Sequence, residues 1–129
     1  MFTIEAIKAA HSKVKSGADF PAYIQEIKAL GVSHYEAFVA DGRMNYYGTN
    51  DHAARVPAKY DNLEMASQVN TDEFISELKA HQQGKTDFLT FITMCARCGI
   101  EKWEIDMGAM TCTYFDVNGN KALVEMIPG

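Results

Sequence analysis

Residues 31–48 read GVSHYEAFVADGRMNYYG. Two runs of alternating apolar and polar residues flank Asp41-Gly42, a dipeptide that accepts the positive φ angles of a tight turn, so the stretch predicts a β-hairpin. A two-residue turn pairs Val39 with Met44 and Ala37 with Tyr46. It sends Tyr35, Ala37, Val39, Met44 and Tyr46 to one face and His34, Glu36, Phe38, Arg43, Asn45 and Tyr47 to the other.

On the N-terminal side of the hairpin, Gly31 closes a helix whose start Asp19 can cap, with Pro21 tolerated in the first turn. Phe20, Tyr23, Ile24, Ile27 and Leu30 form its apolar face, and Val32 supplies the contact that accompanies a glycine C-cap. Before it, Phe2, Ile4, Ala6, Ile7, Ala10 and Val14 predict a first helix over about 2–16. On the C-terminal side, Thr49–Val69 reads as a loop holding one short strand near Leu63–Val69, because Pro57 and scattered polar residues interrupt any period. Asn70 then caps a third helix with Glu73 as its reciprocal partner, and Gly84 stops it. A fourth helix over about Asp87–Cys98 carries Phe88, Phe91, Ile92 and Cys95 on one face and ends at Gly99. Lys102–Met107, Thr111–Asp116 and Ala122–Ile127 read as strands, with Asn118-Gly119 turning between the last two.

Sliding the second half back by 68 positions lays Asp87-Phe88 on Asp19-Phe20, Ile92 on Ile24, Gly99 on Gly31, Glu104 on Glu36 and Tyr114 on Tyr46. Trp103 falls on Tyr35, Phe91 on Tyr23 and Phe115 on Tyr47. These matches sit on caps, helix stops and the core face, so we expect a duplicated helix-helix-strand-strand unit, with pseudo-repeats over about 2–48 and 71–116 and a C-terminal strand at 121–127. The expected fold class is α+β: a two-layer sandwich with an antiparallel sheet covered on one face by four helices, in a single domain over 1–129.

Composition bounds the function. The chain has 129 residues, 47% of them hydrophobic and 22% charged, which is ordinary for a globular domain. A net charge of -5 with no dense Lys/Arg stripe argues against nucleic acid. The absence of a long apolar run argues against a membrane span or signal peptide, so a cytoplasmic location is expected. Three cysteines leave one thiol unpaired in any internal disulfide scheme.

Cys95, Cys98 and Cys112 invite a metal or redox reading, with a fourth zinc ligand to be found at His52 or His81. The repeat lays them on Ile27, Leu30 and Met44, so core packing is expected, with no metal and no cofactor. His11, His34, His52 and His81 show no motif spacing and read as isolated surface residues. Glu36 with Glu104 or Asp106 could form an acid/base pair on the open sheet face, but no catalytic residue is assigned. That face also carries Phe38, Tyr47 and Phe115, and aromatic rings among charges suit a recognition patch. The candidate binding residues are therefore Glu36, Phe38, Arg43, Tyr47, Glu104 and Phe115.

Gly99–Pro128, GIEKWEIDMGAMTCTYFDVNGNKALVEMIP, and GVSHYEAFVADG at Gly31–Gly42 resemble the YdfO-like family of uncharacterised proteins, often labelled "phage envelope protein" and in part encoded in prophages. Trp103, Thr111-Cys112-Thr113-Tyr114 and Val124-Glu125 carry the resemblance. It implies an α+β sandwich and supplies no catalytic motif. The envelope label is not taken as a function, because the chain shows no membrane span, long coiled coil or secretion signal. The expectation is a small non-enzymatic binding module, self-associating as a homodimer or meeting a protein or small-ligand partner through its sheet face or an edge strand. The alternative is a small enzyme or ligand-binding protein using Glu36, Glu104, His34 and Arg43.

Overall fold

The computed structural model describes residues 2–14, 17–49 and 52–127. Its elements run α1 (Ile4–His11), a 3-10 turn (Gly17–Asp19), α2 (Phe20–Leu30), β1 (His34–Phe38), β2 (Met44–Tyr47), β3 (Ala53–Val56), α3 (Thr71–Gln82), α4 (Phe88–Arg97), β4 (Ile100–Asp106), β5 (Thr111–Asp116) and β6 (Lys121–Met126). Six antiparallel strands lie in the order β3-β2-β1-β4-β5-β6, so the order helix, helix, strand, strand, strand occurs twice and β1 meets β4 at the centre. The fold is α+β, with the helices on one face and the other face open. Tyr35, Ala37, Met44, Tyr46, Trp103, Ile105, Cys112 and Tyr114 line the inner face of the sheet, and all are buried. They share one apolar cluster with Ile7, Ile24, Ile27, Phe74, Ile92 and Cys95 of the helices.

Local chemistry sets the ends. Thr3 Oγ1 accepts the Ala6 amide at 3.1 Å and starts α1. Ser12 turns its hydroxyl onto the Ala9 carbonyl at 2.7 Å, so the helix ends well short of the expected limit, whose last residues, 15 and 16, lie outside the described ones. Asn70 Oδ1 accepts the Glu73 amide at 3.1 Å at the start of α3, and Asp87 Oδ1 accepts the Thr90 amide at 2.7 Å at the start of α4.

The first hairpin differs from its expected register by two residues. Ala37 pairs with Met44 and Tyr35 with Tyr46, which leaves a five-residue connection over 39–43. Because side chains alternate with a period of two, the face assignments survive the slip. The wider turn has a tertiary cause. The Val39 amide donates to Glu101 O at 2.9 Å, Tyr60 Oη donates to Val39 O at 2.6 Å, and the Leu63 amide donates to Ala40 O at 2.7 Å.

The segment expected as a loop with one short strand near Leu63–Val69 carries its strand earlier, as β3, which extends the sheet beyond β2, while 63–69 forms no strand. Its backbone groups have other partners: the Ala66 amide donates to Ala96 O at 3.0 Å and the Asn70 amide to Cys98 O at 2.9 Å.

Candidate functional site

The six residues expected to bind lie together on the open face, around Lys102. Lys102 Nζ donates to Glu36 Oε2 at 2.9 Å and to Glu104 Oε1 at 3.1 Å, and Tyr47 Oη donates to Glu36 Oε1 at 3.2 Å. The ammonium stands 5.7 Å from the Phe38 ring centre and 5.2 Å from that of Phe115, and the Arg43 guanidinium 4.2 Å above Phe38. Arg43 also pairs with Asp41 at 3.0 Å. Partial burial pushes the Glu36 carboxyl up. The hydrogen bond and charge of Lys102 and the hydroxyl of Tyr47 outweigh it, holding the group below the ordinary carboxylate range. That is the wrong direction for a general acid. Asp106 is committed to the β4–β5 turn, where Oδ1 accepts the Gly108 amide at 2.8 Å and the Ala109 amide at 3.1 Å.

On the opposite side, between the sheet and the helices, lies a cavity of about 460 Å³. Its floor is the inner sheet face at Tyr35, Met44, Trp103, Cys112 and Tyr114, and α2 and α4 roof it with Phe20, Tyr23, Phe88 and Phe91. The rim holds His11, Val14 and Ala18 on one side and His81, Gln82, Glu125 and Met126 on the other. Five pairs of lining residues stand 68 positions apart: Val14 and Gln82, Phe20 and Phe88, Tyr23 and Phe91, Tyr35 and Trp103, Met44 and Cys112. The lining therefore draws on both sides of the β1–β4 pairing at the centre of the sheet.

The polar atoms of this wall are partnered or poised. Tyr46 Oη donates to Met44 Sδ at 3.0 Å, so Tyr23 is the donor in its 2.9 Å contact with the Tyr46 hydroxyl. Burial drives the Tyr23 and Tyr35 phenols far up and Tyr46 up to about 12. They stay protonated donors at any ordinary pH. Gln82 Nε2 donates to Glu125 Oε1 at 3.0 Å. Glu125 pairs with Cys112 across β5 and β6, which puts both side chains on the inner face.

The histidines depart from the surface expectation. His11 packs edge-on against Tyr23 and Phe88, and His81 stacks on Phe91 at 4.1 Å with Nδ1 2.9 Å from Thr86 Oγ1. Burial lowers both pKa values, helped at His11 by the charge of Lys59 and opposed at His81 by Thr86 and Asp87. His52 Nε2 lies 2.8 Å from the Phe2 carbonyl oxygen, while His34 stays exposed and stacks on Tyr47. All three thiols are buried in the core, and burial raises each, Cys112 to about 12. Among the described residues no group of three or more His, Cys, Asp or Glu side chains is placed to hold a metal ion.

Sequence reasoning missed the cavity and Glu125. One sign was available: Glu125 is in phase with Leu123 and Ile127, which places a carboxylate on the side of the last strand that faces the helices.

Fold and site together define an α+β protein with an open, aromatic-lined cavity between helices and sheet. The chain belongs to the family described as protein of unknown function (DUF1398), whose model matches residues 8–126. No curated protein matches it. Among the described residues no helix is long and apolar enough to cross a membrane.

Proposed function

We propose that this protein is a non-enzymatic module that holds one small, largely apolar molecule in the cavity between its layers. A single observation carries the reading: a space of about 460 Å³ walled by aromatic rings is roofed by both helical hairpins. Its size falls within the roughly 300 to 1,000 Å³ of small-molecule sites, and its few polar groups converge from the rim, as such sites require. An apolar wall of this kind gains from displacing weakly held water.

Trp103 is the sole tryptophan and lies in the floor, so it reports occupancy directly. Titration with the neutral fluorophore N-phenylnaphthylamine should quench Trp103 at one equivalent, and Val14→Phe at the rim should weaken binding. Probe binding that leaves Trp103 emission unchanged and is undiminished in Val14→Phe would remove this reading.

Two further points belong to the same proposal. The shared order of five elements, whose starts lie 66 to 68 positions apart in the two halves, and the matched registers Tyr35–Tyr46 and Trp103–Tyr114, support a tandem duplication. The residues at Gly99–Pro128 support a place among the YdfO-like, prophage-associated proteins, which adds no mechanism. Self-association of two copies through Glu36, Phe38, Arg43, Tyr47, Glu104 and Phe115 has less support, because Lys102 already pairs both carboxylates. Light scattering that finds a monomer for both wild type and Phe38→Asp removes it. The enzyme alternative loses its acid, since Glu36 is held in the ionised form.

A further inference from the structure

Resting on that reading, the make-up of the wall points to the chemical class of the ligand. Among the described residues, those that line the cavity include neither lysine nor arginine. Glu125 supplies the one carboxyl group among the described lining residues, and Gln82 donates to its Oε1 at 3.0 Å. The remaining wall is mostly aromatic, with Tyr23, Tyr35, Phe91, Trp103 and Tyr114 at its centre. An aromatic ring carries negative charge on its face, so a wall rich in such rings favours an organic cation. Burial lowers the pKa of both lining histidines and so disfavours a competing positive charge there. Lys59, whose charge reaches His11, is not part of the lining. The whole chain adds a net charge of -5.

We infer that the cavity takes an amphipathic organic cation, its apolar body among the rings and its ammonium or amidinium group at the Glu125 carboxylate. A carboxylate turned inward on an edge strand also discourages edge-to-edge pairing. That role predicts a change in mass on its removal and no change in ligand preference, so the two roles separate by experiment.

The test is calorimetric titration of the full chain with phenylbutyl-trimethylammonium, phenylbutanol and phenylbutyrate, a cation, a neutral molecule and an anion of similar length. The cation should bind about 10-fold or more tightly than the alcohol, and the anion most weakly. Glu125→Gln should bring the cation's affinity down to that of the alcohol measured on the same variant. Glu125 is partly exposed at the rim, and unchanged ellipticity and thermal midpoint verify that the variant folds. Equal affinities for the three, or a cation affinity that survives Glu125→Gln, would overturn the inference while leaving the cavity reading intact. Failure of all three to bind or to perturb Trp103 would overturn both.

Discussion

At the scale of single residues, the open face is governed by Lys102. Its ammonium is shared between Glu36 and Glu104, and the side chains of Lys102 and Glu36 are only 23% and 20% exposed, so water screens this pair less than an ordinary surface ion pair. Because Glu36 titrates below its unfolded value, its ionised form stabilises the native state. That contribution is fully present above the ordinary carboxylate range and is lost as pH falls through the lowered folded pKa. Glu36→Gln should therefore cost about 1 kcal/mol in urea unfolding at neutral pH, and the gap from wild type should close as pH falls through the lowered folded pKa. A gap that stays constant with pH would assign the loss to packing. These residues were legible because strand alternation alone puts Glu36, Phe38, Tyr47, Glu104 and Phe115 on one face. Lys102 as their hub was not, since it depends on which strands become neighbours across the centre of the sheet.

At the scale of elements, caps and stops were the most readable features because they are decided within a few residues. Asn70 with Glu73 and Asp87 with Thr90 form as their spacing implies. The strand β3 escaped because it has four residues, too few for alternation to stand out. The hairpin register escaped because partners from 59–63 and β4 hold open a turn that local chemistry alone would close. Glycine stops can be separated by the same physics. Gly99 has φ +76, and an added Cβ would lie 2.6 Å from the Gln68 carbonyl oxygen, whereas Gly119 has φ +82 with nothing within 4 Å. Gly119→Ala should cost only the left-handed backbone penalty of about 1 to 2 kcal/mol. Gly99→Ala should cost roughly 3 kcal/mol or more, because the segment 68–70 must also move away from the end of α4. Equal losses for the two variants in thermal unfolding would refute that steric account.

At the scale of the molecule, the cavity follows from how the halves meet. β1 from the first half pairs with β4 from the second at the centre of the sheet, so Tyr35 and Trp103 stand at a seam. A void at such a seam depends on the distance between the two helical hairpins, which no periodicity encodes. The inner face itself was readable, because alternation puts Tyr35, Ala37, Met44 and Tyr46 on one side of the first hairpin. The same seam governs cooperativity. Cutting between the halves would expose the edges of β1 and β4 and the inner faces of Tyr35, Ala37, Trp103 and Ile105, all buried in the intact chain. Neither half closes an apolar core of its own, because the cluster of buried residues runs unbroken from Phe2 to Ile127. Unfolding in urea should therefore be one transition, in which Trp103 emission from the second half and far-UV ellipticity from all four helices coincide. Two resolved transitions, or tryptophan emission that departs from ellipticity, would mean that the halves fold independently and that the seam, with its cavity, is a docking surface between two finished units.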